Sequence, residues 1–386
     1  MLYTQEDKGV QNQKKIWADR LISQNILWPK VNQTILTHHF PHFSLLLGKP
    51  GNGQLVLALS IAQTLLCKSE EKPCGICDAC YKVLNCIHPD LHFSFPLNNP
   101  KDTCQQHYSS WRKAIAEKPF MTITEWFSYL DGESKNANIS VTEINNFSSL
   151  LYLKPFEANA NVLILWLPEY LGKDSNRLLK ILEEPPANVF IILVTENCDL
   201  LLPTVLSRAQ VYRMQSIQLE EAAHKLTSVG HVDYNTAYSV LLSCNGNIQE
   251  ALLQMEHQNI PSIDVLRKLL QSAFVYNVAG MIEWVEHYLS LNKEDQKNFL
   301  QWIQMLLSFV LKLKFTDDKN FSQTNNSMIQ YAAKLSNTLT ISQIELWTTL
   351  IDDTYIALQR NANVKILMTN FSIRLSHILK NLNSNN

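Results

Sequence analysis

The chain has 386 residues, and its 46% hydrophobic and 18% charged content is typical of globular proteins and excludes a disordered chain. Its formal net charge of -2 gives no overall attraction to DNA or to an anionic membrane surface. No charged and apolar leader opens it, and its most apolar later stretch, residues 299–315, is interrupted by glutamine and lysine. We therefore expect a soluble, cytoplasmic protein with no membrane partner.

The first half of the chain alternates short apolar runs with helical patterns. The runs predict buried strands over residues 42–48, 160–167 and 188–195, and the patterns predict helices over residues 55–67 and 175–184. This alternation predicts an α/β fold with a parallel sheet covered by helices. After about Met214 the strand signals disappear and helical segments continue to the C-terminus, so domain boundaries are expected near residues 215 and 259–261.

The stretch GKPGNGQL lies between the first predicted strand and the first predicted helix. In a phosphate-binding loop, two glycines five residues apart precede Lys and then Ser or Thr. Gly48 and Gly53 occupy the glycine positions and Gly51 adds a third, but Gln54 and Leu55 replace the two residues that would hold phosphate and Mg²⁺. The loop is interpreted as a degenerate nucleotide site, and a glycine cluster that never bound nucleotide stays open as an alternative.

A second feature of the sequence, the end of a later strand, also argues against ATP hydrolysis. An ATPase of this kind carries an acidic pair at the end of a later strand, to hold Mg²⁺ and activate water. The strand NVLILW ends in Leu165 and Trp166, and Glu169 follows three residues later. Because both halves of the site have lost their chemistry, we expect neither bound ATP nor ATP hydrolysis in this chain.

Five of the eight cysteines fall between Cys67 and Cys86. Four of them, Cys67, Cys74, Cys77 and Cys80, have the spacing C-x6-C-x2-C-x2-C, which suits a tetrahedral zinc site of four thiolates. Such a site is closed, so the zinc would be structural and not catalytic. Buried free thiols are the alternative, but three cysteines in seven residues of a polar, charged loop do not resemble a hydrophobic core.

These motifs together resemble one known family, the delta-prime subunits of bacterial DNA polymerase III clamp loaders, which belong to the AAA+ class. The resemblance covers about residues 20–215 and rests on several segments in order, namely GKPGNGQLVLALSIAQ, the four-cysteine insert before HPD, LYLKPFEANANVLILWLPE, NRLLKILEEPP and LLPTVLSRAQ. The remainder matches loosely, through CNGN and RNANVKIL.

The family's architecture fits the three-part layout above. It implies an AAA+-like parallel-sheet domain over residues 1–214 with a zinc module at 67–80, a helical lid over 215–259, and an all-α collar for oligomerisation over 260–386. It also implies a chain without catalytic activity of its own inside the DNA polymerase III holoenzyme. Its partners would be motor subunits of the gamma or tau type, the delta subunit, and, through the complex, the sliding clamp and primer-template DNA.

The resemblance also implies where the chemistry lies. The family carries a Ser-Arg-Cys motif whose arginine reaches the ATP of a neighbouring motor subunit. Here the motif is Ser207, Arg208 and Ala209, so the cysteine is replaced but the charge is kept. A guanidinium supplied in trans stabilises negative charge on the transferred phosphate. Arg208 is therefore predicted to act as an arginine finger, whereas an isolated arginine would by default form a surface ion pair.

Two other functions stay open at this stage. One is an AAA+ ATPase with a divergent nucleotide site. The other is a zinc-ribbon protein that binds nucleic acid, for which a basic patch with aromatic residues near the cysteines is expected. The insert instead mixes acidic residues with lysines, so its charge does not favour DNA.

Overall fold

Two structural units divide the chain in the computed structural model. The first comprises Met1–His231 with Gly246–Leu252, and the second comprises Val232–Asn245 with Leu253–Asn386. The structure describes residues 15–130, 137–172, 181–182, 185–230, 232–244, 246–256, 263–291, 293–315, 327–360 and 362–380. Apart from residues 181–182, the predicted helix over 175–184 lies outside the described residues, as does the predicted boundary at 259–261.

A parallel sheet of five strands forms the centre of the first unit. Its strands are β1 (Phe43–Leu47), β2 (Leu91–Ser94), β3 (Asn161–Trp166), β4 (Val189–Thr195) and β5 (Gln210–Arg213), in the spatial order β2-β3-β4-β1-β5. Every described pair of neighbouring strands is parallel. The predicted parallel sheet is thus confirmed, and all three predicted strands are part of it.

The two strands that the sequence did not predict, β2 and β5, are short. Each has four residues, and β5 lies at the edge of the sheet with its side chains exposed or half-buried. Neither has the continuous apolar run that marks β1, β3 and β4, whose residues are almost all buried. Pairing with the neighbouring strand, and not the local pattern, defines these two elements.

Helices pack around this sheet. In chain order they are α1 (Leu27–Leu36), α2 (Gln54–Leu66), α3 (Asp78–Leu84), α4 (Tyr108–Glu117), α5 (Ile123–Ser128), α6 (Val141–Leu151), α7 (Pro203–Leu206) and α8 (Leu219–Gly230). Helix α2 is buried on all sides, with Leu65 as its one half-buried residue. Apolar side chains occur on every face of α2, as is typical of a central helix that other elements cover completely.

The described residues of the second unit form helices joined by short turns, and none of them is in a strand. The remaining helices are α9 (Tyr234–Ser243), α10 (Ile248–Glu256), α11 (Ile263–Val275), α12 (Val278–Leu289), α13 (Lys293–Phe315), α14 (Ser327–Thr338), α15 (Ile341–Gln359) and α16 (Val364–Lys380). The first turn of α10 belongs with the first unit. A single apolar core joins α11 to α16, and it includes Trp284, Trp347 and Phe371. The predicted helical C-terminal part is therefore confirmed.

None of the described helices is long and apolar enough to cross a membrane. Helix α13 contains the most apolar stretch noted in the sequence, and Leu306, Leu307 and Val310 on it are buried in the core of the second unit. Its apolar residues thus serve packing within the protein.

Candidate functional site

The glycine loop connects β1 to α2, as the sequence predicts. Gly48 N donates a hydrogen bond to the carbonyl oxygen of Thr195 at the end of β4 (3.3 Å), and Asn52 N donates to the carbonyl oxygen of Lys49 (3.2 Å). Gly51 and Gly53 both have positive φ, +76° and +86°, which L-residues with side chains rarely adopt. The loop therefore makes a tight turn from strand to helix, and the glycines permit its backbone conformation.

The two residues that would do chemistry in this loop serve packing instead. Gln54 begins α2, is 5% exposed, and its Nε2 donates a hydrogen bond back to the carbonyl oxygen of Lys49 at 2.9 Å. Leu55 is buried as well. The Gln54 side chain is hydrogen-bonded within its own loop and carries no positive charge, and the Leu55 side chain has no oxygen atom that could ligate a metal ion.

A small pocket lies beside the loop. It is lined by Gly51, Gly53, Gln54, Leu55, Pro119, Phe120, Met121, Trp166, Val194 and Glu196. No lysine or arginine is among these described residues, and Glu196 adds a carboxylate. The pocket therefore offers a phosphate group no positively charged side chain among its described residues.

Trp166 stands at the end of β3, where an ATPase would carry an acidic residue. Its ring packs against Trp111 with the centroids 5.3 Å apart, and Trp111 in turn stacks on Phe95 at 4.2 Å. Trp126 joins the cluster through an edge-to-face contact with Trp111 at 5.0 Å. The strand end that would hold Mg²⁺ and water is thus part of an apolar aromatic core.

Glu169 connects the ends of β3 and β4. Its carboxylate accepts a hydrogen bond from Thr195 Oγ1 at 2.9 Å and another from Glu196 N at 3.3 Å. Burial raises the pKa of Glu169 above its usual value. Burial, together with the nearby charge of Glu169, raises the pKa of Glu196 to about 7. The two carboxyl groups therefore disfavour each other's ionisation, and Glu169 acts as a fixed link between strands.

The four predicted zinc ligands lie together. Cys67 directly follows α2, Cys77 precedes α3, Cys80 is on α3, and Cys74 is in the loop between the two helices. The Sγ atoms of Cys67 and Cys74 are 3.7 Å apart, and the Cys67–Cys77 and Cys74–Cys80 pairs are each 3.9 Å apart. A tetrahedron with zinc–sulfur bonds of about 2.3 Å has sulfur atoms about 3.8 Å apart. The cluster therefore fits a tetrahedral metal ion.

Backbone N–H groups surround the sulfur atoms of this cluster. Cys74 N donates to Cys67 Sγ (3.5 Å), Cys77 N to Cys74 Sγ (3.4 Å) and Cys80 N to Cys77 Sγ (3.4 Å). Burial raises the pKa of the Cys67 and Cys80 thiols. Burial alone would also raise the pKa of Cys74, but hydrogen bonds with the Ile76 and Cys77 backbone and with the neighbouring thiols outweigh it and lower that pKa to about 6. A thiolate at neutral pH is the form that binds zinc.

The segment HPD, which follows the cysteines, anchors another loop and is not part of the cluster. Asp90 is buried, and its carboxylate accepts hydrogen bonds from the backbone N–H groups of Phe156 (2.5 Å), Glu157 (2.8 Å) and Ala158 (2.7 Å). His88 Nδ1 accepts a hydrogen bond from Asp90 N at 3.1 Å. Lys82 of α3 pairs with the Glu157 carboxylate at 2.5 Å. These bonds join the cysteine-rich segment to the loop that leads into β3.

Ser207 and Arg208 lie between α7 and β5, and both are exposed. Ser207 Oγ donates a hydrogen bond to the carbonyl oxygen of Thr204 at 3.1 Å, and Arg208 Nη1 donates to the same oxygen at 3.0 Å. Pro203 at the first position of α7 fixes the start of that short helix. The Arg208 guanidinium is therefore held at the surface, at the end of one helical turn.

Some residues around the loop were not found by sequence reasoning. Phe120 lies in the segment between α4 and α5, and Asn247 precedes α10, yet both reach the glycine loop. Asn247 falls in the segment CNGN, where an asparagine before a helical pattern is a capping signal. Phe120 has no local signal, because a single buried phenylalanine in a short segment has no periodicity.

Comparisons with known proteins agree with the residues that carry the resemblance. The sequence profile of a family described as DNA polymerase III, delta subunit matches residues 23–218, about half of the chain. DNA polymerase III subunit delta' of Haemophilus influenzae is 25% identical over 281 residues, covering 72% of this chain and 73% of its own. DNA polymerase III subunit delta' of Bacillus subtilis is 23% identical over 363 residues, covering 91% and 94%. A solved structure, the Bacillus subtilis DNA clamp loader delta protein, aligns with 11% identity and a TM-score of 0.35, covering 91% and 99%.

Proposed function

The chain belongs to the DNA polymerase III delta-prime subunit family, and we propose that it is a subunit of the DNA polymerase III clamp loader that does not hydrolyse ATP. In this role it helps to load the sliding clamp onto primed DNA during replication. It supplies Arg208 to the ATP of a neighbouring motor subunit. The observation that carries the proposal is the position of Arg208 relative to the chain's own glycine loop.

Arg208 and the glycine loop lie at opposite ends of the sheet. In the β1–β5 pair, Ser44 is opposite Gln210 and Leu47 is opposite Arg213. Arg208 precedes the amino end of β5, whereas the loop follows the carboxyl end of the parallel strand β1. The three residue steps between these ends span about 10 Å at the usual rise of a strand. An exposed arginine at the amino edge of the sheet is separated from its own loop at the carboxyl edge, which supports a role in trans.

The glycine loop supports the other half of the proposal. Gln54 takes the place of the phosphate-binding lysine and is bonded to the carbonyl oxygen of Lys49, and Glu196 lines the adjacent pocket. The strand end that would carry acids for Mg²⁺ carries Trp166 inside an aromatic core. Each of these features disfavours ATP and its metal ion, so the catalysis to which this chain contributes is carried out on a neighbour's nucleotide.

The four-cysteine cluster supports a structural zinc ion held by Cys67, Cys74, Cys77 and Cys80. When bound, zinc would link the end of α2 to the start of α3 through four sulfur ligands. Because all four positions of a tetrahedron would be filled by protein, no position would be left for water or substrate. The metal would stabilise the insert of residues 67–80 inside the AAA+-like domain.

The partners that fit this role are motor subunits of the gamma or tau type, the delta subunit, and, through them, the clamp and primer-template DNA. We propose that the chain consists of a sheet domain over residues 1–214, a helical lid over 215–259 and a collar over 260–386. The long apolar helices α13, α15 and α16 suit a collar, in which helices pack against their own unit and against sister subunits.

Reconstitution tests this proposal. The full chain is mixed with candidate motor and delta subunits, and co-elution, clamp loading and DNA-stimulated ATPase activity are measured with and without it. We expect a stable complex whose ATPase and clamp loading depend on this chain, and no ATP binding by the chain alone. Micromolar affinity for ATP with Mg²⁺-dependent turnover by the isolated chain would instead assign it to the ATPases.

A further inference from the structure

The glycine loop makes a close contact with a segment far away in the sequence. A Cβ atom built on Gly51 would lie 2.0 Å from Asn247 Oδ1 and 2.7 Å from Asn247 Cγ. The Asn247 side chain thus occupies the space that any side chain at position 51 would need. Glycine permits close approach of a ligand to the backbone, and here the group that approaches belongs to the same chain.

The Asn247 side chain is itself fixed in place. Its Oδ1 accepts a hydrogen bond from Glu250 N at 3.2 Å, so Asn247 caps the N-terminus of α10. Its backbone oxygen accepts from Ala251 N at 3.0 Å, which continues the first helical turn. The residue therefore joins the start of α10 to the glycine loop.

A second bond ties the same turn to α5. The buried side chain of Gln249 donates a hydrogen bond through Nε2 to Glu125 Oε1. That carboxylate also pairs with Lys118 Nζ at 3.2 Å, and its other oxygen accepts from Thr122 N at 2.9 Å. Lys118 and Thr122 thus hold the Glu125 carboxylate in the position where it accepts the hydrogen bond from Gln249. Both contacts lie within the first unit, to which Gly246–Leu252 belongs.

We infer that the glycine loop serves as an intramolecular socket for Gly246–Leu252, which we call the latch segment, and that Gly51 is glycine in order to admit Asn247. The latch segment is fixed to the sheet domain by Asn247 at the loop and by Gln249 at α5. A phosphate that approached the Gly51 backbone from this side would have to displace Asn247.

A pair of double-mutant cycles tests it on the isolated full-length chain. Gly51→Ala adds both backbone strain at positive φ and the clash with Asn247, and Asn247→Gly removes the clash while keeping a residue that helix N-caps tolerate. If the two substitutions acted independently, the unfolding equilibrium constant of the double variant would change by the product of the two single effects. We expect the measured constant to be smaller than that value by at least about fivefold. Additive effects of Gly51→Ala and Asn247→Gly on the free energy of unfolding would contradict this inference.

Gly53 gives the matched control. It also has positive φ, but a Cβ built there would meet Phe120 Cε1 at 2.9 Å, and Asn247 is not among its near neighbours. Gly53→Ala combined with Asn247→Gly should therefore be additive, whereas Gly53→Ala combined with Phe120→Ala should not. Equal coupling of Asn247 to both glycines would indicate general loosening of the loop and contradict the inference.

Hydrogen exchange provides a readout that does not require the Gly51 variants to fold. In the double variant Asn247→Gly and Gln249→Ala, the amides of Ala251 and Leu252 should exchange at least about tenfold faster. Local opening of the latch segment then costs less free energy, because the contacts with Gly51 and Glu125 are already absent. The amides of Leu45 and Leu193 in the sheet should keep their rates. Unchanged exchange in the latch segment, or equal acceleration in the sheet, would overturn the inference.

Discussion

Arg208 and Gly48 lie at opposite ends of one pair of parallel strands. Gly48 directly follows β1, and Arg208 comes two residues before β5, whose Gln210 is opposite Ser44. Since parallel strands share one direction, the loop is at the carboxyl edge of the sheet and the arginine is at its amino edge. One chain can therefore present a glycine loop on one side and an arginine on the other, which is a suitable arrangement for subunits in a ring or arc.

The first prediction concerns the arginine. Arg208→Ala should leave assembly intact and reduce the DNA-stimulated ATPase of the reconstituted complex at least about tenfold, because a finger in trans stabilises transition-state charge. Arg208→Lys should rescue it only in part, since lysine keeps the charge but not the planar fork. Arg213→Ala, at the exposed far end of β5, is the control and should have little effect. An unchanged ATPase in Arg208→Ala would refute the finger assignment.

The second prediction concerns the metal. The purified chain should contain about one zinc ion, and Cys74→Ser should lose it, because three thiolates no longer close the tetrahedron. Cys198→Ser changes a cysteine outside the cluster and should keep the zinc. Metal content by mass spectrometry and the thermal midpoint are measured for both variants. Equal zinc in Cys74→Ser and in the parent chain would show that the ligands were chosen wrongly.

The third prediction concerns the degenerate loop. Restoring the two missing residues, with Gln54→Lys and Leu55→Thr, should not create ATP binding, because Trp166 still stands at the strand end where an acidic residue would hold Mg²⁺. Equilibrium dialysis with labelled ATP and Mg²⁺ compares this double variant with the parent chain. Submillimolar affinity in the double variant would mean that the lysine and the hydroxyl were the whole defect.

The fourth prediction concerns pH. The pKa of Glu196 is raised to about 7, so its folded state holds a proton more tightly than the unfolded chain does. The penalty that ionised Glu196 places on folding is absent below the ordinary pKa of a glutamate, grows as pH rises from that value to about 7, and is fully present above about 7. Glu196→Gln should therefore raise the free energy of unfolding at pH 8 by about 1–2 kcal/mol, allowing for solvent screening, and change it little at pH 4.

Urea denaturation at both pH values measures this effect. Glu220→Gln alters an exposed glutamate in the first turn of α8 and serves as the control, with no gain expected at pH 8 because a carboxylate there favours the helix N-terminus. A gain for Glu196→Gln that is equal at pH 4 and pH 8 would show that the effect does not come from ionisation.

The fifth prediction concerns Asp90. Asp90→Asn replaces one acceptor oxygen with an N–H donor that faces backbone donors, so the unfolding free energy should fall by about 1–3 kcal/mol. Asp199→Asn, at an exposed position, should change it by less than about 0.5 kcal/mol. Denaturant midpoints are measured for both variants. If Asp90→Asn lost no more stability than Asp199→Asn, the three hydrogen bonds from the backbone to Asp90 would make no net contribution to stability.

Part of the fold and of the candidate site was predictable, and the reason differs from element to element. Strands β1, β3 and β4 are continuous apolar runs, because both faces of a central parallel strand are covered. Strand β5 has no such run, since an edge strand is half exposed. The four cysteines were predictable as one cluster because their spacing along the chain already limits how far apart they can be.

By itself, the sequence determined what is local: the turn-forming glycines, the absent lysine and acids, the cysteine spacing and the Ser207–Arg208 pair. Only the tertiary structure decided which distant groups meet. It brings Asn247 onto Gly51, Glu196 beside Glu169, and Trp166 into an aromatic core. Backbone conformation and ligand spacing follow from a few neighbouring residues, whereas contacts between distant segments depend on how whole strands and helices pack, and no short pattern encodes that.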